Sequence, residues 1–225
     1  FKKFFAGAFI AVASVALIAT PASAEPVTGP PAEQYPVMEA FLNDQGLDAG
    51  TVDSLIGKWE RGETWDSMSG AAPVLTNTQD VDGFTVTTDT FADGSINSMS
   101  VEIPTIVPPG TIQPFAVGEV NSCTRSGTTK YTYRGCKIRG VSGFVTMNAN
   151  ASYTGGGSRG NENYAATINS FDNCNASVVN GGYSNLSCGR IRSTASSQLS
   201  ALARYGLSAS LWNGTHGVTL EFFVN

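Results

Sequence analysis

Few side chains in this sequence could do chemistry, and the rarest of them is histidine. His216 is the only histidine, so a mechanism with a histidine base, such as a Ser-His-Asp triad, would have to use it. It lies next to Asn213-Gly214 in an alternating apolar pattern, which predicts a structural residue at the rim of a hairpin, opposite Leu211. We therefore assign no catalytic residue and favour a protein that is not an enzyme.

Paired carboxylates are the alternative source of chemistry, because glycoside hydrolysis needs only two acids at a suitable separation. In the second half of the chain the candidates are Glu119, Glu162, Asp172 and Glu221. In the first half, acidic residues flank Trp59 and Trp65, a grouping that could grip a sugar but is more typical of a helix end with buried tryptophans. A secreted carbohydrate-active hydrolase is therefore the alternative to a binding protein.

Basic residues near the middle of the chain have the spacing of a binding strand. Lys130 and Arg134 fall on one face of a predicted strand, and Tyr131 and Tyr133 fall on the other. If the tyrosines face the core, the cations point to solvent, where they could hold an acidic polysaccharide or a wall polymer. Ordinary surface charge is the competing interpretation. The candidate binding residues are Arg125, Lys130, Arg134, Lys137 and Arg139.

Four cysteines lie in the second half of the chain, at Cys123, Cys136, Cys174 and Cys188. An exported protein keeps disulfides, and each successive pair brackets a turn-rich stretch, so we favour the bridges Cys123–Cys136 and Cys174–Cys188 among the three possible connectivities. A zinc site is disfavoured because the chain has no Cys-x-x-Cys pair and a single histidine. We expect no metal and no cofactor.

The N-terminal stretch predicts export. Lys2 and Lys3 precede the apolar run from Phe4 to Thr20, and Pro21-Ala-Ser-Ala24 supplies the small residues of a cleavage site. A membrane anchor is the alternative, but a spanning helix needs about 20 apolar residues and this run is shorter. We predict a signal peptide over residues 1–24 and a secreted, extracellular product with no membrane attachment after cleavage.

Charge divides the remaining chain at a Pro-rich connector, residues 104–114. Residues 25–103 hold 14 acidic and two basic residues, whereas residues 104–225 hold nine basic and four acidic ones. We predict an acidic α+β module, then the connector, then a disulfide-containing antiparallel β domain over residues 115–225. The opposite charges suggest that the module docks on the basic domain and masks it. Together these counts give residues 25–225 a net charge of −7, and this charge and the lack of a recognition motif argue against nucleic acid as a partner.

Within the acidic module, apolar spacing predicts two short helices, ended by Gly46 and Gly62, and then a hairpin. Asp93-Gly94 suits a two-residue turn at the tip of that hairpin. Such a turn places Val86 opposite Val101 and collects the apolar residues of both strands on one face. We expect the helices to cover that face.

The C-terminal hairpin has the clearest pattern. Residues 199–211 alternate apolar and polar side chains, and a turn at Asn213-Gly214 would place Tyr205 opposite Phe222, with the apolar sets of both strands on one face. Further strands are predicted over residues 117–122, 128–139, 143–153 and 164–171. Six or more such strands favour an antiparallel β-sandwich, with a barrel as the second choice.

Three motifs carry a resemblance: Glu60–Val74, Val81-Asp-Gly-Phe84 and Thr90-Phe-Ala-Asp-Gly-Ser95. Together they resemble secreted actinobacterial proteins of unassigned function, mainly over residues 60–95. The resemblance implies localisation and lineage, and it brings no catalytic residues with it. We therefore expect a secreted binding or interaction protein for an acidic polymer or a cell-envelope glycan. A hydrolase and a secreted toxin or inhibitor are the alternatives, and the oligomeric state stays open.

Overall fold

The computed structural model describes residues 31–107, 123–128, 130–155, 166–196 and 199–224. Within these ranges a short 3-10 turn, Ala32–Gln34, leads into three helices: α1 (Tyr35–Asp44), α2 (Ala49–Glu60) and α3 (Asp66–Ser69). The predicted signal peptide and the predicted strand over residues 117–122 lie outside the described residues. Of the predicted connector, residues 104–107 are described.

Eleven strands follow the helices in the described ranges and form two sheets. The first sheet contains β1 (Leu75–Val81), β2 (Phe84–Thr90), β3 (Ile96–Glu102), β4 (Thr105–Ile106), β5 (Thr124–Ser126), β6 (Tyr131–Ser142), β7 (Val145–Gly155) and β8 (Thr167–Val178). The second contains β9 (Gly182–Arg192), β10 (Ala201–Leu211) and β11 (Gly214–Val224). All neighbouring strands are antiparallel except β4 and β5. The mainly β fold predicted from the sequence, with two antiparallel sheets after short helices, is confirmed.

The main core lies between the two sheets. Ile138, Met147 and Phe171 contribute from the first sheet, and Tyr205 and Phe222 contribute from the second. Burying one such large apolar side chain is worth about 1.5 to 3 kcal/mol, so this layer supplies much of the driving force for folding. The predicted apolar face of the last two strands is confirmed.

The register of the β10–β11 hairpin differs from the predicted one by two positions. Tyr205 lies opposite Leu220 and not opposite Phe222, because the chain turns at Trp212-Asn213 and pairs Leu211 with Gly214. Side-chain direction repeats every two residues along a strand, so a shift of two keeps the apolar sets on one face. The predicted turn was wrong, but the predicted face was not affected.

The β2–β3 hairpin differs by one position, and here the consequence is larger. The Phe91 N–H donates to the Ser95 carbonyl, and Gly94 has a φ of 83°, so the loop is a three-residue one with a left-handed glycine. Val86 therefore lies opposite Ser100. A shift of one residue sends Val86 and Val101 to opposite faces of the sheet, so the predicted single apolar face was wrong.

A two-residue Asp-Gly turn does occur, but one strand earlier. Asp82 and Gly83 both have positive φ, 50° and 81°, and they join β1 to β2 with Val81 opposite Phe84. This is the geometry that Asp-Gly favours in a type I′ hairpin. Strand β1 was not predicted.

The two predicted short helices are present as α1 and α2. Asp48 caps α2 by accepting a hydrogen bond from the Thr51 N–H at 3.1 Å. Their buried residues, including Met38 and Trp59, pack in a second cluster around Phe144, at the turn between β6 and β7. Because β3 also pairs with β6, the predicted acidic module and β domain share one sheet.

Candidate functional site

Strand β6 carries most of the predicted binding residues. Arg134, Lys137 and Arg139 lie on it, and Lys130 immediately precedes it. The strand pairs with β7 along one edge and with β3 and then β5 along the other. Its position in the middle of the sheet fixes the backbone from which these cations project.

A bulge in β6 decides which face of the sheet the later cations occupy. Between Tyr133 and Cys136, two residues of β6 stand against the single residue Ser152 of β7. Gly135 is one of the two; its φ is 64°, and its N–H donates to the Ser152 hydroxyl at 3.1 Å. The extra residue keeps Cys136 on the core side and turns Lys137 to the outer face.

Lys137 and Arg139 line a groove of about 430 Å³ on this outer face, which we call the cation groove. Apolar residues of the β1–β2 hairpin line it as well, namely Val81, Phe84 and Val86, and so does Asp82 at the turn. In register, Lys137 lies opposite Asn150 and Arg139 opposite Asn148, and both amides line the groove. The groove thus combines two cations, one carboxylate, two amides and an apolar wall.

Neither of these two cations has an ion pair among the described residues. The ion pairs within the described residues use other basic side chains: Lys58, Arg61 and Arg204. Lys137 and Arg139 are two residues apart on one strand face, which places them about 7 Å apart. They therefore present two adjacent positive charges on one wall of the groove.

The other three predicted binding residues do not line the cation groove with Lys137 and Arg139. Arg134 is exposed at the bulge and Lys130 is exposed ahead of the strand. Arg125 lies opposite Tyr133, and its guanidinium lies 4.7 Å from the centroid of the Tyr131 ring, a cation–π contact. Because Tyr133 is on the core side of the bulge, Arg125 is on the other face of the sheet. The structure brings together two of the five predicted residues and separates Arg125 from them.

A buried carboxylate holds the backbone of the groove at Lys137. Glu102, which is only 1% exposed, accepts hydrogen bonds from the backbone N–H of Lys137 at 3.0 Å and of Cys123 at 3.2 Å. It lies where β3 stops pairing with β6 and β5 begins, so its two oxygens replace missing ladder partners. The adjacent Cys123–Cys136 disulfide, predicted from the sequence and confirmed, ties β5 to β6 at the same place.

The carboxylates considered for a hydrolase do not, where the structure describes them, line the cation groove. Glu221 on β11 is paired with Arg204, directly opposite it on β10, and Asp172 is exposed on β8. Glu119 and Glu162 lie outside the described residues. Of these four carboxylates the structure thus describes two, and one of them, Glu221, is engaged in an ion pair.

His216 lies beside the β10–β11 turn, opposite Ala209 and not opposite Leu211 as predicted. Its Nε2 is 2.9 Å from the Asn213 side-chain oxygen, and its ring centroid is 6.2 Å from that of Trp59. Burial lowers the pKa of the imidazole below its usual value, because charging it would cost desolvation.

Trp59 and Trp65 are buried, as the sequence favoured, so they cannot stack on a sugar. The Trp65 indole N–H donates to the Leu55 carbonyl at 2.8 Å. Nearby, Lys58 forms ion pairs with Asp66 at 3.1 Å and with Asp93 at 2.8 Å. Burial pushes the pKa of Asp93 upward, but hydrogen bonds from Lys58, from Ser95 and from the Asp66 N–H outweigh it, so the pKa is lowered. This cluster ties α2 to the β2–β3 loop.

Sequence reasoning missed the apolar wall and the amides of the cation groove. Val81-Asp82-Gly83-Phe84 carried a usable signal, since Asp-Gly between two β-forming residues predicts a hairpin there. Asn148 and Asn150 could be placed beside the cations only with the β6–β7 register, which depends on the bulge. The sequence marks that bulge by Gly135 alone.

Comparisons of the chain with protein-family models, with curated proteins and with solved structures found no match. In the part of the chain that the structure describes, no helix is long and apolar enough to cross a membrane. Nor do three or more metal-ligating side chains gather among those residues.

Proposed function

We propose that this chain is an exported binding protein whose cation groove holds an acidic polymer, such as an acidic polysaccharide or a wall polymer. The observation that carries the proposal is the adjacency of Lys137 and Arg139 in a groove, without an ion-pair partner among the described residues. Cations in a concave, partly apolar site attract anions more effectively than cations on a flat wet surface.

The other groove residues suit a sugar polymer. Phe84 and Val86 offer apolar surface to the faces of sugar rings, which carry C–H groups. The Asn148 amide N–H donates to the Asn175 side-chain oxygen at 3.2 Å, which leaves the Asn148 oxygen to accept from a ligand hydroxyl. Charge would thus provide attraction, and the wall and amides would provide orientation.

Export is part of the proposal. Both predicted disulfides, Cys123–Cys136 and Cys174–Cys188, are present, and disulfides persist mainly in oxidising compartments. N-terminal sequencing of the protein recovered from culture medium should begin at Glu25. Recovery of the protein only inside cells, with residues 1–24 retained, would contradict export.

Isothermal titration can test the groove with polygalacturonate as an anionic polysaccharide and dextran as a neutral one. We expect polygalacturonate to bind and salt to weaken it, because screening shortens the reach of the charges. The double variant Lys137→Gln/Arg139→Gln should weaken binding about tenfold, which corresponds to about 1.4 kcal/mol.

A matched control removes the same charge elsewhere. Arg61 and Arg204 are exposed and ion-paired, so Arg61→Gln/Arg204→Gln should leave polygalacturonate binding within about twofold. Equal losses in both double variants would mean that net charge, and not the groove, attracts the polymer. Equal binding of dextran would likewise contradict the proposal, and release of reducing ends during titration would favour the hydrolase.

A further inference from the structure

A second groove, of about 460 Å³, lies on the opposite face of the first sheet, beside strand β11. Residues of α3, β2, β3, β6, β7 and β11 line it, and we call it the edge groove. Its volume is within the range of small-molecule sites. The proposed polymer binding does not use it.

The strand registers place a row of polar residues across the sheet at one end of the edge groove. Thr76 lies opposite Asp89, Asp89 opposite Asn97, and Asn97 opposite Ser142. Residues opposite one another share a face, so these four side chains are neighbours. The carbonyl of Ser67, on α3, accepts hydrogen bonds from the Asn97 amide at 3.1 Å and from the Ser142 hydroxyl at 3.4 Å.

Two oxygens at this end of the groove have no hydrogen-bond partner among the described residues. They are the Ser67 hydroxyl and the Asn97 side-chain carbonyl, and both atoms are buried. Ser67 as a whole is only 7% exposed, and it lines the groove together with Asn97. Buried polar atoms are costly unless they are hydrogen-bonded, so this end of the groove lacks a donor.

The charge of the groove indicates which donor fits. No lysine or arginine lines it, and its two carboxylates are Asp89 and Glu221. Glu221 is already paired with Arg204, whereas Asp89 accepts a hydrogen bond from the Thr76 hydroxyl and has no described ion pair. A positively charged donor would satisfy the free oxygens and also balance Asp89.

The rest of the groove is apolar. Three of the four methionines in the chain line it, Met68, Met99 and Met147, and flexible thioethers adapt to ligands of varied shape. Leu220 packs directly on Gly140, since a Cβ at position 140 would lie 2.8 Å from a Leu220 methyl carbon. This apolar row is two residues along the strands from the polar row, a separation of about 7 Å.

We propose that the edge groove binds a primary alkylammonium group. The ammonium donates to Asp89, to the Asn97 oxygen and to the Ser67 hydroxyl, and the stem extends over Met99 toward Leu220. An ammonium on a stem of about four carbons, the size of a lysine side chain, spans the two rows. The group comes either from a free alkylamine or from a lysine in a peptide.

NMR titration of the full chain at pH 7 tests this chemistry with pentylamine, pentanol and pentanoate. Pentylamine should shift the resonances of Asn97 and Met99 and bind about tenfold more tightly than pentanol, and pentanoate should bind more weakly still. N-acetyl-lysine methylamide distinguishes the two sources: tighter binding than pentylamine indicates a peptide lysine, and weaker binding indicates a free amine. Pentanol binding as tightly as pentylamine, or no shift with any amine, would overturn the proposal.

Asp89→Asn removes the charge with little change of shape and should weaken pentylamine binding about tenfold. Asp80→Asn is the matched control, because Asp80 also accepts from a threonine hydroxyl across β1 and β2, at 2.7 Å from Thr85, but does not line the groove. The affinity of the Asp80→Asn variant for pentylamine should be unchanged. Equal losses in the two variants would overturn the site, and an unchanged amide spectrum verifies that each variant is folded.

Discussion

The hairpins β10–β11 and β2–β3 differ in strand length, 11 residues against seven, and are buried in different ways. Along β10 and β11, fully buried residues such as Tyr205 and Phe222 alternate with exposed or half-exposed ones. Along β2 and β3, every residue except Glu102 is half-buried, on both faces. One hairpin therefore closes the core, whereas the other presents two accessible faces.

Under the two binding proposals, this difference separates stability from binding. Phe84 and Val86 face the cation groove, and Asp89 and Asn97 of the same hairpin line the edge groove. The β10–β11 hairpin contributes its buried face to the main core. Substitutions at positions of β10 and β11 that face only the core should therefore act on the free energy of unfolding, and substitutions in β2 and β3 mainly on ligand binding.

The largest effect is expected at Phe222. Its ring contacts Tyr153 and Phe171, with centroids 5.2 and 6.4 Å away, and the residue is 4% exposed. Phe222→Ala should lower the free energy of unfolding by about 3 to 5 kcal/mol through loss of burial and a new cavity. Phe223 is 50% exposed, so Phe223→Ala should change the free energy of unfolding by less than about 0.5 kcal/mol. Urea denaturation giving similar losses for both would contradict the alternation.

The next effect concerns the disulfide between the two sheets. Cys174 of β8 is bonded to Cys188 of β9, 14 residues away in the chain. The double substitution Cys174→Ser/Cys188→Ser should cost about 3 kcal/mol, because the open loop regains conformational freedom when the chain unfolds. Thermal unfolding of this variant should be compared with that of the reduced wild type. A loss in the variant but none on reduction would argue that serine, and not the open loop, causes the effect.

A smaller effect is expected at the turn of the β2–β3 hairpin. Gly94 has a φ of 83°, so an L-residue there costs about 1 to 2 kcal/mol, and a Cβ would lie 2.7 Å from the Thr51 methyl carbon. Gly94→Ala should destabilise by more than Gly214→Ala in the other hairpin, where nothing lies within 4 Å. Thr51→Ser removes the methyl carbon and should restore part of the loss. If chemical denaturation shows no recovery of stability in the double variant, the contact with the Thr51 methyl carbon does not contribute to the loss.

The smallest effect should be a dependence of stability on pH from His216. Because burial lowers the imidazole pKa below 6.5, the unfolded chain takes up a proton at a higher pH than the folded one. This contribution to stability is complete above pH 6.5 and is lost as the pH falls through the folded pKa. His216→Gln should flatten the stability curve between pH 7 and pH 5, measured by urea denaturation. An unchanged slope would assign the dependence to carboxylates instead.

The sequence predicted the parts of the fold that have a single buried face. Tyr205 and Phe222 belong to a largely regular alternation, which the buried Leu202 interrupts, so even a turn placed two residues away left them on the core side. In β2 and β3 both faces are half-buried, so alternation could not correct a turn misplaced by one residue. The grooves depended on registers among five strands, and local patterns around Lys137 or Asp89 contain no information about such distant partners.

The bulge at Gly135 has a consequence for how this sequence tolerates change. Along a strand, odd and even positions face opposite sides of the sheet. The one extra residue at the bulge reverses this assignment for the rest of β6. Deleting it would turn Lys137 and Arg139 inward and expose Cys136 and Ile138, so the core and the cation groove would be lost together. Length between positions 133 and 136 is therefore more tightly constrained than side-chain identity.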